Sequence, residues 1–449
     1  MAECNRQTVL LASVGRKKLQ ADFDGGRLTS DAGALLLREA NKRIGLIEAI
    51  DRCIPDPRDP SRIRHSQASL LAQRIFAIAL GYEDLNDHDT LRNDPALQAA
   101  TDHYPKDNDP LGSKSTLCRL ENRLDRKSLV RIAQVLVEVF IASHRRAPRE
   151  LILDFDATDD RLHGEQEGRF FHGYYDHYCY LPLYVYCGDQ LLVAYLRPSN
   201  IDASLHSRAI LKMLVRRFRQ VWPEVHIIMR ADSGFCRWRL MRWCERNGVY
   251  YIFGLARNKV LERLAEPWMQ EAQEAFESTG TKQRIFGQVS YGAATWDRKR
   301  RVIVKAERLQ QGPNTRFVVT NIEGDPQSLY DGLYCGRGEM ENRIKEQQLG
   351  LFADRTSSHA FLANQFRVFL SAAAYVLVEA IRRLALKGTE LARAQVSTIR
   401  LKLFKIGARV LTSVRRIIFH LASGYPLQRL FARVVRRLHR APPAGLNWG

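Results

Sequence analysis

Three acidic stretches in this sequence carry residue types and spacings that suit metal-assisted chemistry. The first is LILDFDATDD (151–160). Alternate residues of a strand share a face, so Leu151, Leu153 and Phe155 face one way, and Asp154 and Asp156 face the other beside Ile152. Two aspartates on a half-buried strand face cost on the order of several kcal/mol unless they are paired or bound to metal. The second stretch is IIMRADSGF (227–235). It sets Asp232 at the carboxyl end of a buried strand, where ligand sites of α/β sheets form; capping the next helix is its plainer role. The third is LYCGRGEMENRIKEQQLG (333–350). Tyr334, Arg337, Glu341 and Lys345 follow at steps of three and four, which is one stripe of a helix. An ion-pair ladder on a solvated face is the plainer reading there, and it would contribute little.

Such a set suits phosphodiester cleavage, which passes through a pentacovalent phosphorus with charge on its oxygens. Two Mg²⁺ ions about 3.5–4 Å apart activate the attacking oxygen and stabilise the leaving one. Mg²⁺ takes hard oxygen ligands, so three carboxylates, one bridging both ions, are a minimal cage. Water or a 3′-hydroxyl is then the nucleophile, and no Ser, Cys or His is needed in that role. Arg337 and Lys345 suit phosphate, with Tyr334 packing on or bonding to the backbone.

The elements that must hold these residues follow from the periodicity. Residues 1–25 read as a short strand or arm, and Leu28 to about Arg146 as broken helices, among them Ser66–Gly81 and Leu129–His144. At Arg149 the period changes. Leu151–Asp156, Tyr178–Cys187 and Leu191–Leu196 read as strands, the last two joined at Gly188-Asp189. Helix Leu205–Val221, strand Val225–Ala231, helix Arg237–Asn247 and strand Val249–Leu255 follow. Three antiparallel strands and then βαβ units is the order of a ribonuclease-H-like (retroviral-integrase-like) core. The expected organisation is therefore α/β. Residues 1–148 form a mainly helical N-terminal region, and 149–258 with 326–380 form the core that carries the three acidic stretches. Residues 259–325 form a β-rich insertion, and 381–449 a basic region of three or four helices with a loose tail at APPAGLNWG.

Charge points to the partner. Lys and Arg number 69 against 49 Asp and Glu, a formal +20. From Leu401 to Gly449 there are ten Lys/Arg and no acidic residue. That balance implies a polyanion, nucleic acid first, and gives a glycosidase with paired carboxylates nothing to use it for. In the 259–325 segment, Trp296 beside Arg298, Lys299, Arg300 and Arg301 is a candidate for base stacking and phosphate contact; a hairpin turn with a half-buried Trp is the alternative. His163 and Gln166 in HGEQEG (163–168) are weaker candidates for substrate contact. The eight cysteines form no zinc spacing and fit a reducing compartment. The N-terminus reads as no signal peptide, and the longest apolar run, Val368–Ala380, reads as too short to span a bilayer. A cytoplasmic protein without a membrane partner is expected.

Several stretches in order resemble the bacterial insertion-sequence transposases of the insertion sequence 1380 family, within the DDE superfamily. They are FDGGRLTSDAGALLLREA (23–40), STLCRLENRL (115–124), LDFDATDDRLHGEQEGRFFHGYY (153–175), YCYLPLYVY (178–186), RADSGF (230–235), RGEMENRIKE (337–346) and KLFKIGARVLTSVRRIIFHLASGYP (402–426). The resemblance implies a DDE transposase whose metal triad is Asp156, Asp232 and Glu341. Asp156 is preferred because Asp156-Ala157-Thr158 looks like the D-x-T pattern of related enzymes, with Asp154 the runner-up metal residue, in a bridging role or one step behind the ligands. It also implies two Mg²⁺ ions, for which Mn²⁺ can substitute, double-stranded DNA as partner (terminal inverted repeats and target), and action near the bacterial nucleoid. The reaction itself asks for at least a homodimer in the synaptic complex. Tyr334, Arg337 and Glu341 match the first three positions of a Tyr-Arg-Glu-Lys signature; the Lys is expected where Gln348 stands, and Lys345 is the nearest substitute. A ribonuclease-H-like nuclease or resolvase, and a non-catalytic DNA-binding derivative, are the competing readings.

Overall fold

A strand with one face in the core carries apolar side chains at alternate positions, and 150–157 supplies them at Leu151, Leu153 and Phe155. Glu150–Ala157 (β1) lies near the middle of an eight-stranded mixed sheet. The other strands are Leu183–Cys187 (β2), Gln190–Tyr195 (β3), His226–Ala231 (β4), Tyr250–Leu255 (β5), Gln283–Tyr291 (β6), Arg300–Leu309 (β7) and Gly312–Thr320 (β8). Their order across the sheet is β6-β7-β8-β5-β4-β1-β2-β3. The β1, β4 and β5 strands run parallel, and all other pairs are antiparallel. The computed structural model describes residues 8–106 and 109–443. Cys4 and residues 444–449 of the expected loose tail lie outside them.

Two compact units are built from interleaved stretches. The sheet unit takes Asp125–Leu349 and Ala353–Ala372. One face of its sheet presents Leu151, Leu153, Phe155, Tyr251, Phe253, Val302, Val304, Phe317 and Val319 to the main core. Helices Arg126–Ala142, Ser207–Val221 and Trp238–Arg246 cover that face through Phe140, Phe218, Met241 and Cys244. The other face presents Ile152, Ile228, Ile252, Ile303 and Val318 to Tyr330, Leu333 and Tyr334. Those three residues belong to one continuous helical run that starts at Pro326 and passes through Gly350. The run is not a regular α-helix. Leu329–Tyr334 makes wide π turns, Cys335–Arg337 tight 3₁₀ turns, Gly338–Lys345 is α, and Glu346–Gly350 is π again. π turns inside helices recur at functional sites.

The second unit is drawn from Met1–Leu124, Gly350–Phe352 and Ala373–Ala444, as far as these are described. Its helices include Ala34–Ile44, Leu46–Cys53, Gln67–Leu80 and Lys114–Asn122. Ser66 caps the third of these and Gly81 ends it in the left-handed conformation, at the ends its sequence marks. Buried polar pairs fix the unit inside: Arg74 donates to Glu121 at 2.9 Å, and Lys405 pairs with Asp31 at 2.6 Å while its ammonium lies 4.1 Å from the Tyr82 ring.

Several expectations change. Residues 259–325 open with a 21-residue helix, Lys259–Thr279, seated by Leu261, Ala265 and Ala272. The three strands after it extend the main sheet beyond β5 and do not form a separate body. Tyr178–Cys187 is two strands, because Pro182 cannot donate to a ladder; His177–Tyr180 joins a small sheet with Asp160–Arg161 and Phe170–His172. Helix Arg126–Ala142, assigned by sequence to the N-terminal region, packs on the sheet through Val137 and Phe140. The basic C-terminal segment is not all helix. Ala408–Thr412 (β9) and Ile417–Leu421 (β10) form a hairpin that pairs with Leu28–Thr29. The apolar run Val368–Ala380 is part of a helical stretch, Phe361–Leu386, that is long and apolar enough to cross a membrane by length and composition; 83% of its most apolar part is buried inside the protein. Burial of that kind is what a core helix shows.

Candidate active site

Register decides what each aspartate of β1 does. In the parallel β1–β4 pair, Asp154 stands opposite Arg230. Both residues are buried, at 3% and 8% exposure. Arg230 donates from Nε to one Asp154 oxygen and from Nη2 to the other, the latter at 2.7 Å. Its Nη1 donates to the Leu333 carbonyl on the helical run. Asp154 therefore spends both oxygens on a guanidinium, and the expectation that it is a metal ligand is corrected. The aspartate locks the helical run to the strands through Arg230. Gly336 is part of this arrangement, since a Cβ there would come within 2.6 Å of Arg230 Nη1.

Two residues further on, Asp156 reaches the carboxyl end of β1 on the same face. Asp232 follows the last residue of β4 directly; its Oδ1 accepts from the Gly234 amide at 2.8 Å and caps the short turn Ser233–Phe235. Register carries Asp232 alongside Asp156, since Ala231 pairs with Phe155. The helical run brings Arg337 and Glu341 over these strand ends. Arg337 Nη1 lies 3.4 Å from Asp156 Oδ2, and Nη2 donates to Glu341 Oε1 at 2.7 Å. Tyr334 packs beside them, its hydroxyl held over the β5 backbone at Gly254, where a Cβ would meet that oxygen at 2.6 Å. The absence of a side chain at 254 is what lets the phenol approach the Asp232–Ser233 turn.

The electrostatics run in the same direction. Burial pushes the Asp156 carboxyl up to about 7; Arg337 opposes this, and the negative charges of Asp232 and Glu341 add to it. Burial works against the Arg337 charge, but Asp156 and Glu341 outweigh it and raise its pKa. Burial also raises the Tyr334 phenol. Asp156 and Glu341 thus share one guanidinium over the carboxyl end of β1, and Asp232 at the end of β4 is near enough to raise the Asp156 pKa.

As donors, these groups fit a hard divalent cation: all are carboxylates, they come from three different elements, and their mutual repulsion favours a cation among them. Among the described residues no three His, Cys, Asp or Glu side chains stand at ligand spacing. The Arg337 guanidinium, clasped between Asp156 and Glu341, supplies the positive charge there.

The remaining candidates separate. Lys345 is exposed on the helical run. Gln348, at the position where the signature expects lysine, donates to the Asp159 carbonyl at 2.9 Å. Arg300 is not available to a ligand: it is 4% exposed and pairs with Glu245 and Asp297 at 2.7 and 2.9 Å. That corrects its assignment to nucleic-acid contact. Arg298 pairs with the same Glu245 at 2.7 Å. Trp296 is half-buried in the β6–β7 connection, edge-on to Tyr291, which is the turn reading and not a stacking platform. Lys299 alone of that cluster is exposed without an ion pair among the described residues. Gln166 is taken up by the Gly164 amide and the Thr356 carbonyl. Sequence reasoning gave no role to Arg230 or to Tyr175, whose phenol is pushed up to about 12 by burial and by Asp159 and Asp156. A buried Asp154 signals the need for a cation, but only strand register shows which one.

The chain matches the family model described as Transposase DDE domain group 1 over residues 11–443. No curated protein matches. Among solved structures, the fold is similar to a cryo-EM structure of the piggyBac transposase synaptic complex with hairpin DNA, at TM-score 0.43 and 9% identity, covering 84% of this chain and 80% of that one.

Proposed function

The chain belongs to the transposases of DDE domain group 1, and from that premise we propose that it binds the terminal inverted repeats of its own insertion sequence and cuts and joins them at Asp156, Asp232 and Glu341. As a DDE transposase it is an enzyme that acts on DNA by cleavage and strand transfer. The observation that supports the site assignment is that Asp156 and Glu341 share Arg337 at the end of β1, next to Asp232 at the end of β4. The strand order β3-β2-β1-β4-β5, with β1, β4 and β5 parallel, supports reading the sheet as a ribonuclease-H-like core extended by β6–β8. The sequence motifs support placement in the insertion sequence 1380 family and action on nucleoid DNA in the cytoplasm.

In this reading Asp156, Asp232 and Glu341 would hold two divalent ions, Mg²⁺ or Mn²⁺, whose chemistry when bound would be activation of the attacking oxygen and neutralisation of charge at phosphorus. The protein's own contribution is positioning. Arg230 and Asp154 fix the helical run on the sheet, so Glu341 is held over the two aspartates. Arg337 has two donors within reach of the site, a geometry that also suits a phosphate oxygen. Tyr334 fills the space over Gly254, and Lys345 and Lys299 offer exposed charge to the DNA backbone. Cleavage and joining at two DNA ends calls for two copies of the chain in the synaptic complex.

The test is a labelled DNA end from the gene's own flank, incubated with a target plasmid and the full chain. Nicked end and joined product are expected with Mg²⁺ or Mn²⁺ and not with EDTA or Ca²⁺. Products of equal yield in EDTA would overturn the two-ion part, and equal action on a scrambled end would overturn terminal-repeat recognition.

A further inference from the structure

A large concavity lies in the unit that carries the N-terminal helices. About 1160 Å³ in volume, it is enclosed by residues 24–27, residues 104–106 and the β9–β10 hairpin from Arg409 to Ile417. Its lining brings together Arg27, Lys106, Arg409, Arg415 and Arg416 against a single carboxylate, Asp24. The three hairpin arginines are exposed, and none has an ion pair among the described residues. Arg217, Arg298 and Arg300, by contrast, are each paired with a carboxylate. The hairpin therefore carries charge that the fold itself does not use.

Its shape is equally specific. Alternation along β9 buries Ala408 and Val410 and turns Arg409 and Leu411 outward. Arg409 stands opposite His420, and Leu411 opposite Ile418. Leu411 and Ile418 are 41% and 39% exposed, and Val414 at the tip is fully exposed. On the opposite wall Tyr104 is 66% exposed, with the Lys106 ammonium 5.6 Å from its ring centre. The hairpin is anchored where it leaves this surface: Ala408 packs with Ala32 and Ile406, and β9 pairs with Leu28–Thr29. A two-stranded ribbon of this width enters the major groove of duplex DNA. Cations along its flank and on the facing wall lie where phosphates would run.

We propose that this hairpin and cleft form a DNA contact in addition to the carboxylate site, with the β9–β10 ribbon in a groove of the duplex and Arg409, Arg415 and Arg416 on its phosphates. The proposal rests on the reading of the chain as an enzyme that binds DNA ends, and it names where part of that binding occurs.

The test uses the full chain with Arg409→Ala, Arg415→Ala and Arg416→Ala together. The control is Arg16→Ala, Lys17→Ala and Lys18→Ala, an equal charge change on the exposed N-terminal hairpin. Both are measured for affinity to a fluorescent 30-base-pair duplex across salt concentrations, with thermal melting as the check on folding. The cleft variant is expected to bind at least about tenfold more weakly at physiological salt. Its log–log salt slope should fall by about 2–3, close to 0.9 per lost phosphate contact, with melting unchanged. Wild-type affinity and slope in the cleft variant overturn the proposal, as does an equal loss in the control, which makes the effect one of net charge. Preference of the cleft for duplex RNA over DNA also overturns it. If wild type cuts its DNA end while the cleft variant binds like wild type, only this proposal fails. If wild type neither binds nor cuts, the functional reading fails with it.

Discussion

Replacing Arg230 with methionine is expected to destabilise the protein by about 3–5 kcal/mol, the cost of leaving one member of a buried ion pair without its partner. Asp154 is 3% exposed and has both oxygens on the guanidinium. Without Arg230, its charge either stays unpaired in the core or is lost by protonation. The Leu333 carbonyl also loses its donor, so the helical run loosens over the strand ends. The melting temperature should fall by roughly 6–20 °C, since 1 kcal/mol shifts a unit of this size by about 2–4 °C. Arg230→Met with Asp154→Leu should recover most of that, because apolar replacement of both members of a buried pair is often neutral. Thermal and urea unfolding of the single and double variants check this. A single variant as stable as wild type would show that the pair does not hold the run in place.

Asp156→Asn should produce two opposite effects in one protein. Strand cleavage should fall on the order of 10³-fold or more, beyond the 10–100-fold that changes to outer-shell partners of a metal site cost. Stability in EDTA should rise. The Asp156 carboxyl goes from 3.8 in the unfolded chain to about 7 in the folded protein. The folded state therefore holds a proton that the unfolded state has released between about pH 4 and 7. Wild-type stability contributed by this group is full below pH 4, is lost as pH rises to about 7, and stays lost above. Asparagine does not titrate, so the variant should match wild type at pH 4 and exceed it at pH 8 by up to about 4 kcal/mol. Urea midpoints at pH 4, 6 and 8 measure this. A variant less stable than wild type at pH 8 would contradict a carboxylate crowded by Asp232 and Glu341.

What the sequence disclosed depends on how far each feature reaches along the chain. The alternation in 150–157 and the glycine after Asp232 are local signals, and they marked Asp156 and Asp232 within a residue or two of their strand ends. Steps of three and four marked Arg337 and Glu341, and the i, i+4 contact between them is present in the structure even though the turns before them are π and 3₁₀. Partners distant in sequence were not legible. Asp154 looked like a ligand because its cation lies 76 residues away on a neighbouring strand. Arg300 looked free because Glu245 lies 55 residues earlier. The β9–β10 hairpin lies in the segment expected to be helical, although Val410, Thr412, Ile417 and Ile418 are β-branched and favour strands. Two strands of five residues are too short for periodicity to mark them.

The central claim is that Asp156, Asp232 and Glu341 act as one site. It is tested most directly by strand cleavage of a labelled DNA end in Mg²⁺, comparing wild type with Asp156→Asn, Asp232→Asn and Glu341→Gln, with each variant checked for folding and for DNA binding. The account predicts that wild type cuts, and that all three variants fold and bind but do not cut. A variant that still cuts at a rate near wild type would remove its residue from the site, and cleavage by the Asp156→Asn variant would contradict the account outright.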